Sequence, residues 1–229
     1  MSFPSTDVRP GASSHSTDHI HFYTRFYHLL KGWCYLPTGV LLAVATLTTA
    51  VLRPTWLETV WLPLSLLGGS VLLTAPWAYY MHRRYRAAYG HVTQDGGPTS
   101  PLGRGSISLP AWMACVLGML LWMVALVFYI PNTLGYEDNH FVFFFVALPL
   151  ANGALHAPTL RQQFIYGGSM LILIGVTLIP PALGWPVAVV QALCYTMLGA
   201  VVAGAGLYNH RLLVGALGPM DDTGVSVDE

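Results

Sequence analysis

The sequence predicts an all-α integral membrane protein: a polytopic bundle of six transmembrane helices with an N-terminal amphipathic helix lying in the interface. Three observations lead there. Hydrophobic residues make up 54% of the chain and charged residues 9%, whereas an ordinary soluble domain carries about a quarter charged residues. Between Leu36 and Tyr208 lie apolar segments long enough to cross a hydrocarbon layer ~30 Å thick, each free of Asp, Glu, Lys and Arg. Finally, the Lys and Arg residues gather on one set of alternate connections.

The chain divides into a cytoplasmic tail with its interfacial helix (1–35), a transmembrane domain (36–211) and a C-terminal tail (212–229). Its opening "MSFPSTDVRPGASSHSTDH" has Ser, Pro and Asp where a cleaved leader needs a continuous apolar run, so no processing is expected. In "HIHFYTRFYHLLKGW", Phe22, Phe26, Leu29, Leu30 and Trp33 recur at helical spacing opposite Thr24, Arg25, His28 and Lys31. That pattern predicts the amphipathic helix. His15, His19 and His21, with Asp18, are metal-ligand types, but a tail without a fixed loop leaves them solvated and no metal is expected.

The spans follow in order as 36–52, 59–80, 111–130, 141–160, 164–179 and 187–208. The first and fifth reach roughly 25 Å and must stand nearly upright. With the N-terminus inside, Arg9, Arg25, Lys31, Arg83, Arg84, Arg86, Arg104, Arg161 and Arg211 all fall on the cytoplasmic side, and Arg53 alone falls outside. The positive-inside rule then places both termini in the cytoplasm. Arg far outnumbers Lys, and Ala, Gly, Leu and Val abound, which points to a GC-rich genome and a bacterial plasma membrane.

Two recurrences compete for meaning. Tyr80-Met81-His82-Arg83 and Tyr208-Asn209-His210-Arg211 both stand where a helix leaves the bilayer on the inside. Tyr80, His82, Arg83, Arg84, Arg86, Tyr208, His210 and Arg211 therefore read as interface anchors, with the cations complementing helix dipoles and anionic lipid headgroups. "GGSVLL" and "GGSMLI" occur in the second and fifth spans. They would fit an inverted repeat of the transporter kind, although glycines serve helix packing as readily. The inner segment 81–109 begins as a basic aromatic helix and ends in a Gly, Pro and Ser-rich tether without nucleotide-binding spacing.

Polar residues inside a membrane point to function, because burying them alone is expensive. In the fourth span, Asn152, His156 and Thr159 would share one helix face, with Pro149, Gly153 and Pro158 around them. In the sixth, Gln191 and Tyr195 lie one turn apart, ahead of Gly199, Ala200, Ala203 and Gly204 at the spacing of a close helix contact. These five polar residues form the candidate ligand-binding set. Glu137, Asp138, Asn139 and His140 of the outer loop read as the cap of a helix that starts near His140 rather than as a metal or proton site.

Several classes are weakened by what the sequence lacks. Zero formal net charge gives nucleic acid no footprint. Cys34, Cys115 and Cys194 are far apart and read as small buried hydrophobes. A lone deep histidine does not hold haem between spans, no hydrolase or zinc-protease motif occurs, and no cofactor is expected. The leading expectation is a non-enzymatic membrane component, either a small transporter or the membrane subunit of a larger complex, working with lipid and with partner subunits or copies of itself. A lipid- or quinone-directed enzyme using His156 as acid/base and a tail-signalling sensor are the alternatives.

Overall fold

The computed structural model describes residues 27–59, 61–89, 109–134, 140–157 and 159–218. No strand occurs among them. The elements are α1 (Tyr27–Leu30), a 3-10 turn (Gly32–Cys34), α2 (Leu36–Leu52), a 3-10 stretch (Pro54–Glu58), α3 (Trp61–Tyr89) and α4 (Leu109–Val124). A π turn (Ala125–Tyr129), α5 (Ile130–Leu134), a 3-10 turn (His140–Phe143), α6 (Phe144–His156), α7 (Leu160–Ala182) and α8 (Val187–Leu217) complete the chain. Five helical segments are long and apolar enough to cross a membrane: Gly32–Leu52, Trp61–Tyr89, Met113–Asn132, Leu160–Ala182 and Val187–Leu217. The fold is that of a multi-pass membrane protein.

Phe22 and Phe26 of the predicted amphipathic helix, the tail histidines, the Gly-rich tether, the acidic cluster 137–139 and the C-terminal tail from 219 lie outside the described residues, whereas 212–217, expected as tail, continue the last helix. Within them, α3 runs past the predicted apolar limit as far as Tyr89, so Arg83, Arg84 and Arg86 extend the second span as helix. The π turn comes just before Pro131, which brings no N–H to the ladder and whose ring crowds the preceding turn.

The fifth and sixth predicted spans are also longer than expected, as Leu160–Ala182 and Val187–Leu217, but the fourth differs most. Its α-helix is only 13 residues long. It stops at His156 because Ala157 is extended (φ −62°, ψ 137°), as a residue ahead of a proline prefers, and Pro158 follows. Thr159 then caps α7, its hydroxyl oxygen accepting from the backbone N–H of Gln162 at 3.3 Å. Thr159-x-x-Gln162 has the spacing of a capping box, a helix-start signal within a stretch whose hydropathy alone suggested one unbroken span.

Helix α8 touches most of the other elements and packs longest against α2. The two helices meet backbone to backbone. A Cβ added at Gly39 would lie 2.5 Å from the N of Ala203 and from the O of Gly199, and one at Gly199 would lie 2.7 Å from the N of Ala43. Gly32 and Gly206 continue the seam. Of the small residues foreseen in α8, Gly199 and Ala203 make this contact, whereas Ala200 and Gly204 face outward. Helices α6 and α7 form a second close pair, where the Tyr166 ring fills the space beside Gly153. Helix α4 is tied on through Trp122, whose indole N–H donates to Thr177 Oγ1 at 2.8 Å and whose ring stacks on Phe144. Neither repeated glycine pair sits in a tight contact: a Cβ at Gly68, Gly69 or Gly168 would meet nothing within 4 Å.

Candidate functional site

Two groups of polar side chains are assembled along α8, one near each end. The first is built on Gln191 and Tyr195, which occupy successive turns of α8 and are buried. The 3-10 turn His140–Phe143 lays His140 against them, and His140 Nε2–H donates to Gln191 Oε1 at 3.2 Å. Aromatic rings close the group: Phe143 stands 5.2 Å from the His140 ring and 5.4 Å from Tyr195, and His140 stands 6.0 Å from Tyr195.

Thr46 belongs to the same level. Ala43 touches Gly199 across the antiparallel α2–α8 seam, so Thr46, one turn further along α2, stands level with Tyr195 and Thr196. Most helical hydroxyls in this protein return to the carbonyl four residues back, as Ser65, Ser70, Thr74, Ser169 and Thr177 do. Thr46 Oγ1 and Thr196 Oγ1 are buried and make no hydrogen bond.

Asn152, His156 and Thr159 take no part in this group. Asn152 is exposed on the outside of α6, His156 is half-buried at that helix's last residue, and Thr159 belongs to α7. His156 Nδ1–H donates to the Asn152 carbonyl of its own helix at 3.0 Å. The expected stripe on one helix face is therefore not formed, because the helix carrying it ends before Thr159. Gln191 is hydrogen-bonded instead to His140, which is not among the five candidates.

The second group lies toward the other end of α8. His210 Nδ1 and the Tyr85 hydroxyl share a hydrogen bond at 2.7 Å, and the His210 ring meets Trp33 edge-on at 5.0 Å. Tyr27 Oη donates to the Tyr85 carbonyl at 3.0 Å, Tyr89 Oη to the Gly218 carbonyl at 2.8 Å, and Trp77 Nε1 to the Trp33 carbonyl at 3.0 Å. Tyr166 Oη donates to Asn209 Oδ1 at 2.5 Å, linking α7 to α8. Lys31 joins this group, only 3% exposed, with Nζ 4.2 Å above the Tyr27 ring.

The residues expected as anchors thus divide. Tyr80, Arg83, Arg86 and Arg211 are exposed, as lipid- or headgroup-facing positions require; His82, Arg84 and Tyr208 are half-buried. His210 is also half-buried and joins α8 to α3 through Tyr85. Sequence reasoning missed Tyr85, Trp33 and the burial of Lys31. A signal for the last existed: Lys31 sits four residues after Tyr27, where a helical turn places a cation over a ring.

A third feature is a cleft of about 320 Å³ between α2, α3, α6 and α8. Leu42, Leu67, Val146, Phe145, Leu198 and Val202 line it, and the hydroxyl of Thr38 at its edge is tied to Thr74 at 2.6 Å. Among the described residues no three His, Cys, Asp or Glu side chains converge as metal ligands would. No protein family, curated protein or solved structure matches the chain.

Proposed function

We propose that the protein is a non-enzymatic component of a bacterial plasma membrane, a small transporter or the membrane subunit of a larger complex, crossing the bilayer six times with both termini in the cytoplasm. The observation that carries the non-enzymatic reading is the use made of interior polar side chains. Gln191 binds His140, Tyr166 binds Asn209 and Trp122 binds Thr177, each pair joining two elements of the bundle. Polar side chains spent on joining helices read as packing glue rather than as a reactive site. His156, on which an enzyme would rely, donates its Nδ1–H to a carbonyl of its own helix, and the one carboxylate among the described residues, Glu58, lies in the connection between α2 and α3.

The count of six rests on α6 together with the 3-10 turn ahead of it. At 2.0 Å per residue for that turn and 1.5 Å for the α-helix, the pair is roughly 27 Å long, close to a hydrocarbon layer. The closely packed α6–α7 hairpin supports a crossing rather than a surface helix. With six crossings, Arg161 at the start of α7 and Arg211 near the end of α8 share a side with Lys31 and Arg83.

Cysteine labelling tests the topology. With Cys34, Cys115 and Cys194 replaced, an impermeant maleimide should reach Glu58→Cys in intact cells and reach Arg211→Cys only after permeabilisation. External labelling of Arg211→Cys would leave an odd number of crossings and end this topology. For the function, purification in mild detergent should retain a stoichiometric membrane partner or a homo-oligomer, and His156→Phe should lower thermal stability while preserving that assembly. If His156→Phe changed the cell's lipid or quinone profile as deletion of the protein does, the enzyme reading would replace this one.

A further inference from the structure

We propose that Lys31 and Arg86 form a binding site for a phosphate group, supplied by the headgroup of an anionic phospholipid at the α1–α3 end of the bundle. The proposal rests on the topology above only for which leaflet supplies the lipid.

The starting point is charge. Lys31, Arg83, Arg84 and Arg86 all lie near where the α1 segment meets the end of α3, whereas the sole carboxylate among the described residues, Glu58, lies in the connection between α2 and α3 at their opposite ends. Lys31 is the unusual member, because its side chain is almost wholly buried. A buried cation ordinarily has a carboxylate partner. Here its partner is the face of Tyr27, 4.2 Å below the amine, and Tyr27 is in turn fixed by its hydroxyl to the carbonyl of Tyr85. Arg86 is the next residue, and its charge opposes that of Lys31.

Two cations are thus set near one another through a hydrogen-bonded tyrosine, one without a carboxylate partner among the described residues and the other exposed. An aromatic face offsets only part of the cost of burying an ammonium. A phosphate oxygen would offset the rest, entering from the exposed Arg86 side. Guanidinium and ammonium groups together suit that ligand: the first offers a planar fork of N–H donors, the second a compact charge. Burial also depresses the Lys31 pKa, with repulsion from Arg86 adding to this and the Cys34 thiol opposing it. An arriving anion would reverse that depression. Trp33 and Trp77, joined by the Trp77 indole bond to the Trp33 carbonyl, stand beside the site as aromatic residues do at headgroup depth.

The test compares four cations at the basic ends of the helices. Full-length protein is reconstituted in nanodiscs of phosphatidylcholine with a minority of phosphatidylglycerol, re-extracted, and its retained lipid counted by native mass spectrometry. Wild type should enrich phosphatidylglycerol, and Lys31→Met and Arg86→Gln should each lower that enrichment by more than the roughly fivefold that any single basic side chain near a membrane surface is worth. Arg161→Gln and Arg211→Gln, exposed headgroup-facing cations elsewhere on the same side, should lower it clearly less than either variant at the site. Lys31→Arg should restore enrichment, which separates loss of charge from loss of fold. Equal effects from all four neutral variants, or no enrichment in wild type, would overturn the site. A second arm measures thermal protection in lipid-free detergent. Protection by phosphatidylglycerol alone assigns the phosphate to lipid, whereas equal protection by millimolar inorganic phosphate assigns it to a soluble anion. Because enrichment is measured on extracted protein, it stands or falls independently of the labelling result for topology.

Discussion

The two ends of α8 solve one problem in different ways. At the Gln191 end the polar side chains include no Lys, Arg, Asp or Glu, are buried and enclosed by rings, and the His140–Gln191 bond joins side chain to side chain. At the His210 end the groups are more open, cations are present, and tyrosine and tryptophan donors are spent largely on backbone carbonyls. Uncharged side chains can be sealed inside at modest cost, even where the hydroxyls of Thr46 and Thr196 make no hydrogen bond. A cation such as Lys31 costs more to bury, since it retains a demand for an anion or for water. Between the ends, the Gly39–Gly199–Ala203 seam contains no polar side chain at all and depends on backbone approach. The ends therefore set which elements meet, and the middle sets how closely.

The largest expected effect breaks both ends at once. In Gly39→Ala the new methyl would meet backbone atoms of Gly199 and Ala203 at 2.5 Å, so α2 and α8 must separate. Its cost should reach or exceed the upper end of the ~1–3 kcal/mol usual for overpacking, because backbone cannot move aside as a side-chain tip can. In Gly204→Ala, on the open face of the same helix, the methyl meets nothing within 4 Å and should be neutral or slightly stabilising. Thermal unfolding in detergent compares them, and similar melting temperatures for the two would show that the seam is looser than described.

Next in size is the sealed end. Gln191→Leu removes the acceptor for His140 Nε2–H inside the bundle, where loss of one partner costs about 1–3 kcal/mol. The double variant His140→Phe with Gln191→Leu should recover part of that loss, because neither polar group remains. A double-mutant cycle with no coupling energy would mean that the two side chains do not act as a pair.

A smaller effect belongs to the open end. Tyr85→Phe takes away the hydroxyl bonded to His210 but leaves the Tyr85 carbonyl for Tyr27, so a loss of about 0.5–1.5 kcal/mol is expected. Arg211→Gln, which alters an exposed neighbour of His210, should stay within about 0.5 kcal/mol of wild type. If Arg211→Gln were the more damaging, the lipid-anchor reading of this motif would outweigh the contact with Tyr85.

This contrast shows what the sequence could disclose. Helical class followed from uninterrupted apolar composition, a property of each segment by itself. The limits of α2 were visible for the same reason, with Pro37 near its start and Arg53 at its end. The break after His156 was written in Ala157-Pro158-Thr159 but masked by hydropathy, which averages over a capping signal. Partner choice was not visible. Gly199 and Ala203 advertised a close contact, but Ala200 and Gly204 advertised it equally, and the facing helix decides between them. His140 looked like part of an exposed loop cluster, and only the packing of its 3-10 turn against α8 brings it to Gln191. His210 carried an anchor's sequence because Tyr85, its hydrogen-bond partner, lies in another span.

The smallest effect is a pH dependence at the open end. Burial first, and the Arg86 charge second, lower the Lys31 pKa from 10.5 in spite of the nearby Cys34 thiol. Between that lowered value and 10.5 the unfolded chain binds more protons than the folded one, so stability rises with pH across this window and is flat below it. Tyr27 works the other way: its pKa is raised from 10.0, chiefly by burial, so its contribution falls with pH, but only above about 10. Measuring from neutral pH to about 10 therefore isolates Lys31 from its ring partner, and a Cys34→Ser background removes the thiol. In that background, wild-type Lys31 should gain melting temperature toward the alkaline end relative to Lys31→Met, which has no charge to lose. Added phosphatidylglycerol should reduce this difference, since a bound phosphate favours the protonated amine. A Lys31→Met variant with the same slope as wild type would show that the amine meets water freely. The open end would then differ from the sealed end only in its residues, and not in its demand for an anion.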